Sequence, residues 1–409
     1  MTTVVHPGDS LTPRQRLVYI LVLGALTALG PFTVDLYLPA FPAVEHELGV
    51  SPALVQLTLT ATAVGFALGQ LIVGPWSDKV GRRLPLIIAT SVHVLASLGV
   101  AMAPDITWLI ALRVLQGVGA AAGGVVAVAT VRDLFGGLPL VRMMSRLSLV
   151  SGLAPILAPV IGSQLLRFLD WRGIFWALAA YGLVILVCAY IFIVETLPPA
   201  RRGDLGHSTV RQRYGVLFHD RVFVGIAVIA GMTFSGLFAY LSSSSFLFQQ
   251  VYGLNAQQFG LLFAVNSVGV VAGVQLSSRL ARYVGPQWII AGVTVVLLLS
   301  ALTIVLLDSL HFGLFGILVP LWFFVFACGF SFPMTQVLAI ANHGSEAGTA
   351  ASLLGALNFG LAGAISPIVG LFGIRNAVPM GAIMAATATV SIVVLWVVVR
   401  PRSVPALAR

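Results

Sequence analysis

The chain has 409 residues, of which 59% are hydrophobic and only 9% charged, with a mean hydropathy of +1.03. Such a chain cannot wrap itself in a polar shell, which excludes an ordinary water-soluble domain and makes the bilayer its solvent. The 22 Lys and Arg outnumber the 13 Asp and Glu, for a formal net charge of +9; their placement along the chain makes this a matter of membrane topology, and nucleic-acid binding a poor inference.

Residues 1–16 form a tail without the short apolar core of a cleavable signal. Apolar runs of roughly 20 residues follow, each long enough to cross ~30 Å of hydrocarbon as a helix. They begin near Leu17, Leu54, Pro85, Thr107, Met143, Gly173, Val222, Gln258, Pro286, Gly313, Ala347 and Ala377. The predicted fold is an all-α integral membrane protein with twelve transmembrane helices, an even number that puts both termini on one side. All but Arg113, Arg167, Arg172 and Arg375 of the 22 basic residues fall on the amino-terminal side, so the positive-inside rule assigns both termini to the cytoplasm. The longest polar interruption, "ETLPPARRGDLGHSTVRQRYGVLFHDR" at 195–221, reads as a cytoplasmic linker. It separates a six-helix bundle at 17–194 from a second at 222–399, with a further tail at 400–409. A shift of 204 residues lays "DKVGRR" from Asp78 over "RYVGPQ" from Arg282, a weak internal symmetry expected of a transporter built from repeats with its route at their interface.

The stretch "LGPFTVDLYLPAFP" places Asp35 inside the first run. At ~1.5 Å per residue it lies roughly 27 Å beyond Leu17, in the outer half of the membrane. Arg113, six residues into the oppositely directed fourth run, has a comparable depth. Either charge alone would cost several kcal/mol there, so the two are expected to face each other or a wet cavity. Asp35 is the one acid well inside a run, and a group that takes a proton from one side and releases it to the other is what coupling to a proton gradient requires. The alternatives are a buried structural ion pair and an acid solvated near the outer surface. Arg113 would hold a fixed positive charge that tunes Asp35 or attracts an anionic group, a structural role being the other reading. His93 in the third run reads as a hydrogen-bonded packing residue rather than a proton relay. The 204-residue shift lays Asp35 over Ala239 and Arg113 over Ile317, which confines this chemistry to the first half. Cys188 and Cys328 lie within runs and read as packing residues. No metal-ligand cluster, phosphate loop or Walker sequence is present, so no cofactor is expected and ATP is not the evident energy source.

The segment "GPWSDKVGRRLPLI", Gly74 to Ile87, resembles the signature loop of the major facilitator superfamily, with Gly74, Asp78, Gly81, Arg82 and Arg83 in place and Lys79 where Arg is more usual. "RVLQGVGAA" from Arg113 is similar to the span-four motif of that superfamily. "GLAPILAPVIG" from Gly152 is similar to the Gly/Pro motif of span five in drug/proton antiporters, with Ala154 and Ala158 where a Gly precedes each Pro. With "DLYLPAFP", "VQLTLT", "VRDLF", "WRGIFW" and "AGTAASLLG", the chain from Leu17 to Val399 resembles the Bcr/CflA-type branch, exporters of bicyclomycin, chloramphenicol and related small antibiotics.

The resemblance implies a proton-coupled multidrug antiporter of the bacterial inner membrane that works by alternating access, not an enzyme, and functional as a monomer. Its partners would be a small-molecule drug, protons and the lipid bilayer. The signature loop would latch the cytoplasmic ends, with Asp78 against Gly348 and Thr349 at a helix start and Arg82 paired with Asp133. Pro155 and Pro159 each remove a backbone donor, and Gly152 and Gly162 permit close approach, which suits a hinge or simple packing. Spans one, four, seven and ten would face the cavity. Candidate substrate contacts are Asp35, Tyr37, Gln56, Gln116, Phe234, Phe238, Asn266 and Asn358, with Tyr240 and Ser242 to Ser245 nearby. A mostly apolar, aromatic wall suits a small neutral or weakly polar drug, and a single acid would neutralise a multiply charged cation poorly. The alternative within the fold is a carrier of an endogenous metabolite such as a sugar, amino acid or peptide, although proton-coupled importers often carry further buried acids. A membrane enzyme or receptor would need a clustered constellation, and His6, His46, His207, His219, His311 and His343 are scattered.

Overall fold

The computed structural model describes residues 7–199, 202, 210–341 and 347–403. Parts of the expected tails and linker, with Arg201, His6, His207 and His343, lie outside the described residues. Among the described residues, twelve helices are long and apolar enough to cross a membrane. Numbered in chain order, they are α1 (Pro13–Asp35), α2 (Pro52–Val80), α3 (Arg83–Ala101), α4 (Ile106–Leu134), α5 (Gly137–Leu165) and α6 (Trp171–Phe192). The second six are α7 (Arg221–Phe246), α8 (Ala256–Leu280), α9 (Pro286–Ser309), α10 (Leu314–Ile340), α11 (Ala347–Ile365) and α12 (Val378–Val394). Shorter helices at Phe41–Leu48 and Val210–His219 lie between them, and no strand occurs among the described residues.

Five of the twelve starts are written in cap chemistry. Thr12 forms a capping box with Gln15 ahead of Pro13, and Asn255 forms one with Gln258 at α8. Asp105, Asp170 and Asp220 accept from the first free amides of α4, α6 and α7, so much of the scarce acid in this chain serves helix ends. Leu95, Phe315 and Leu371 stay exposed, as side chains that face lipid do.

Contacts group the chain into two units: residues 1–37 with 64–207, and residues 38–63 with 208–409. One boundary falls inside the 195–221 segment read as a linker; the segment after α1 and the first part of α2, residues 38–63, group with the second unit. In the first unit α1 packs against α4, α5 and α6, and α3 against α4 and α6. In the second, α7 packs against α10, α11 and α12, and α9 against α10 and α12. The pairings repeat helix for helix. Glycines repeat with them: a methyl group at Gly69 would meet the Val118 carbonyl of α4, and one at Gly273, 204 residues later, the Phe326 carbonyl of α10.

Candidate transport site

Arg113 lies in the second turn of α4, in the first unit. Its side chain is fully buried, and Nη1 donates to the Thr33 carbonyl at 2.9 Å and to Gln116 Oε1 at 2.7 Å. The guanidinium lies 5.1 Å from the Tyr37 ring centroid and 5.6 Å from that of Phe175, two rings themselves 4.9 Å apart. Aromatic faces of this kind hold a desolvated cation. Nε and Nη2 of Arg113 are buried without a hydrogen-bond partner.

Asp35 is the last residue of α1 and only 6% exposed. Its carboxylate makes no hydrogen bond or ion pair with any described residue. The expected pairing with Arg113 is thus absent, and the reason lies in the helix end. The chain leaves the α-helix at Asp35 and enters a 3-10 turn at Leu38–Ala40, where Pro39 has no N–H to give the Asp35 carbonyl. The last carbonyls of α1 then have no intrahelical donor, and the negative end of the helix dipole lies there. Arg113 answers that end through Thr33, two residues short of the acid. Gly162 of α5 supports the turn, since a Cβ there would strike the Leu36 carbonyl. The helix runs unbroken through Pro155 and Pro159.

From Gln116 the polar chain continues into α3: Gln116 Nε2 donates to Ser97 Oγ at 2.7 Å, and His93 Nδ1 lies 3.3 Å from the Gln116 carbonyl. His93, Ser97 and Gln116 are all fully buried.

At the other end of the same helices the signature turn forms a second cluster. Gly81 has a φ of +105°, a backbone that a side chain rarely adopts. Arg82 binds Asp78, donates through Nε to Asp133 at 2.8 Å and through Nη1 to Ser77 at 2.9 Å. The expected Arg82–Asp133 pair is therefore present. Burial opposes the charge of Arg82, but its two carboxylate partners outweigh this and hold it more firmly protonated. Arg83 donates to the Tyr190 carbonyl at 2.7 Å and stacks over that ring. Glu195, read in the sequence only as the start of a linker, accepts from the backbone of Arg82 at 2.9 Å and of Arg83 at 3.2 Å. An acid emerging from a helix opposite a Gly-Arg-Arg turn was the available signal. Gly74 has room around it: a methyl group added there would meet Val125 Cγ1 at 3.8 Å, an ordinary contact.

In the second unit Phe234, Phe238, Phe332 and Phe359 form an aromatic cluster with centroids 4.9–6.0 Å apart. Asn358, beside Phe359, keeps a buried Oδ1 without a hydrogen bond. Asn266 donates to the Tyr240 hydroxyl at 3.0 Å and borders an apolar groove of about 410 Å³ between α8 and α10, whose exposed Val265, Phe315 and Val319 belong to the lipid-facing surface. Gln56 spends its amide on the Ser242 carbonyl at 3.1 Å, a helix contact. The hydroxyls of Ser242, Ser243 and Ser244 turn back to carbonyls of α7 itself.

Two matching sets of six spanning helices, with buried charge concentrated in one set, define a membrane transporter. Residues 23–367 match the Major Facilitator Superfamily, and the chain belongs to that family. It is 36% identical to the uncharacterized MFS-type transporter YdgK of Bacillus subtilis, over 93% of this chain and 94% of that one. It is 31% identical to a bicyclomycin resistance protein homolog of Haemophilus influenzae, over 94% and 96% of the two chains. The multidrug resistance protein MdtL of Escherichia coli is 28% identical over 81% of this chain and 83% of its own. These names agree with the Bcr/CflA-type resemblance. A bacterial homolog of the human lysosomal transporter Spinster, solved inward-facing and unoccupied, shares the fold with a TM-score of 0.77 at 15% identity, over 97% of this chain and 100% of that one.

Proposed function

We propose that the protein exports small neutral or weakly polar antibiotics in exchange for protons, by alternating access across the bacterial inner membrane with both termini in the cytoplasm. The observation that carries this reading is the separation of two buried groups. Asp35 has no partner for its carboxylate among the described residues, while Arg113 keeps two nitrogens, Nε and Nη2, without an acceptor near the same helix end. A negative charge on Asp35 favours an arrangement that brings these donors to it, and a proton on Asp35 removes that pull. Protonation and conformation are thereby linked, and the proton gradient is the energy source. The aromatic cluster around Phe234 and Phe238, with Asn358 beside it, suits an uncharged drug with a few polar groups. The names of the relatives, bicyclomycin and multidrug resistance, favour the same class. At the cytoplasmic ends, Asp78, Arg82, Arg83 and Asp133 serve as the latch.

The test is drug transport in proteoliposomes under an imposed pH gradient, with bicyclomycin, chloramphenicol and a dicationic drug, for the parent and for Asp35→Asn. The parent is expected to move the neutral drugs with the gradient and Asp35→Asn to lose that dependence. Equal gradient-driven flux in both would remove Asp35 from the mechanism.

A further inference from the structure

Ser97 and His93 stand one turn apart on α3. Ser97 Oγ lies 2.7 Å from the His93 carbonyl, 3.4 Å from His93 Nε2 and 2.7 Å from Gln116 Nε2. His93 Nδ1 faces the Gln116 main-chain carbonyl, which can only accept, so Nδ1 carries the ring proton and Nε2 of the neutral ring is an acceptor. Both neighbours of Ser97 on His93 therefore ask for a hydrogen, and the single hydroxyl hydrogen goes to them. The lone pairs of Ser97 are left facing Gln116, which can meet them only with its NH2 group. That fixes the other end of the amide: its oxygen points to Arg113, a side chain that only donates. The reversed amide would set N–H against N–H at Arg113 and oxygen against oxygen at Ser97.

Glycines of two other helices lie against α3 at His93, and one of them faces the imidazole. A methyl at Gly119 of α4 would stand 2.7 Å from His93 N and 2.8 Å from its Cβ, and one at Gly182 of α6 would stand 3.1 Å from its Cδ2. The Gly119 distances are ones at which something must shift, so this glycine lets α4 close on the backbone of α3 at His93, while Gly182 leaves the ring room on the α6 side.

We propose that His93 and Ser97 are positioning residues for transport: together they lock the Gln116 amide in the one orientation that holds Arg113 at the end of α1. The inference rests on the reading of Arg113 as part of the coupling site, and its test separates the two. Ser97→Ala removes the acceptor and frees the amide to turn. Under a pH gradient its maximal drug flux is expected to fall roughly tenfold, the scale of one lost hydrogen bond to a charged network, with KM within about twofold of the parent. His93→Asn keeps an N–H donor near the Nδ1 position and is expected to retain most of the flux, whereas His93→Leu is not. A ring needed only for packing gives the opposite order, and that order would overturn the proposal.

A second measurement needs no transport. No hydrogen bond joins Ser97 to Arg113 among the described residues, so their effects couple only through Gln116. In thermal unfolding of the purified full chain, the loss of midpoint caused by Ser97→Ala should shrink in an Arg113→Met background, and the interaction should vanish once Gln116 is Leu. Additive midpoints throughout would overturn the proposal. Parent flux that ignores the pH gradient would instead overturn the coupling reading, and the midpoints would still decide the roles of Ser97 and His93.

Discussion

Glu195 caps a helix whose first turn lies 112 residues before it. Arg82, at the cap position of α3, supplies no side-chain hydrogen bond to the helix, so its own amide and that of Arg83 depend on Glu195. The same carboxylate also accepts from Leu197 N at 2.9 Å. Replacing a capping acceptor costs about 0.5–2 kcal/mol. Three charge-assisted bonds would exceed that range, but the side chain is 29% exposed and water replaces part of the loss, so about 2 kcal/mol is the working figure for Glu195→Ala. A local opening made easier by about 2 kcal/mol exchanges amide hydrogens about thirtyfold faster. Hydrogen–deuterium exchange read by mass spectrometry on the peptide covering 81–86 measures it directly, with Glu195→Gln expected to fall between parent and Glu195→Ala. Unchanged protection in Glu195→Ala would refute the cap.

The same residue carries a pH dependence of known sign. Burial alone would raise the pKa of Glu195, but the amides of Leu197, Arg82 and Arg83 and the charge of Arg202 outweigh it and hold the group below its ordinary value of 4.5. A depressed carboxylate stabilises the folded state fully above its unfolded value, and the contribution is lost as pH falls through the folded one. Protection of the Arg82 and Arg83 amides, corrected for intrinsic exchange, should therefore decline on acidification below about pH 4.5 in the parent and be nearly flat in Glu195→Gln.

Gly81→Ala must hold a side chain at positive φ and place its methyl where the Glu195 carboxylate lies, so its loss of thermal midpoint should not add to that of Glu195→Ala. Gly119→Val should cost about 3 kcal/mol or more by forcing α3 from α4, and should lower both midpoint and flux; Gly124→Ala, with nothing within 4 Å of the new methyl, is the matched control expected to keep both. Asp133→Asn leaves Arg82 with Asp78 and Ser77 and should lower the midpoint by less than Arg82→Met, which takes the cation from two carboxylates and leaves Asp133 with the Thr196 hydroxyl.

The helices and their repeat are legible in the sequence because both rest on local rules: the length needed to cross hydrocarbon, the caps, and small residues that recur at a fixed separation. The Arg82–Asp133 bond is expected only through the resemblance of the signature turn to its family, and the tight turn at Gly81 is what sets Arg82 beside the end of α4. The partner of Arg113 is different. Rise per residue gives the height of a side chain along the membrane normal, and Asp35 and Arg113 do share a height, but height says nothing of which group at that level the guanidinium reaches first. A helix that stops at Asp35 offers bare carbonyls at the same level as its acid, and Thr33 takes the bond. Gln56 misleads in the same way: an amide in an apolar helix reads as a ligand contact, yet a carbonyl of α7 consumes it. Ser97 hides for the opposite reason. A serine in an apolar helix is expected to bond the carbonyl one turn back, and Ser97 does so through His93. Because that bond uses its hydrogen, its lone pairs remain for Gln116, and the ordinary behaviour of the residue is what gives the amide next to Arg113 its direction.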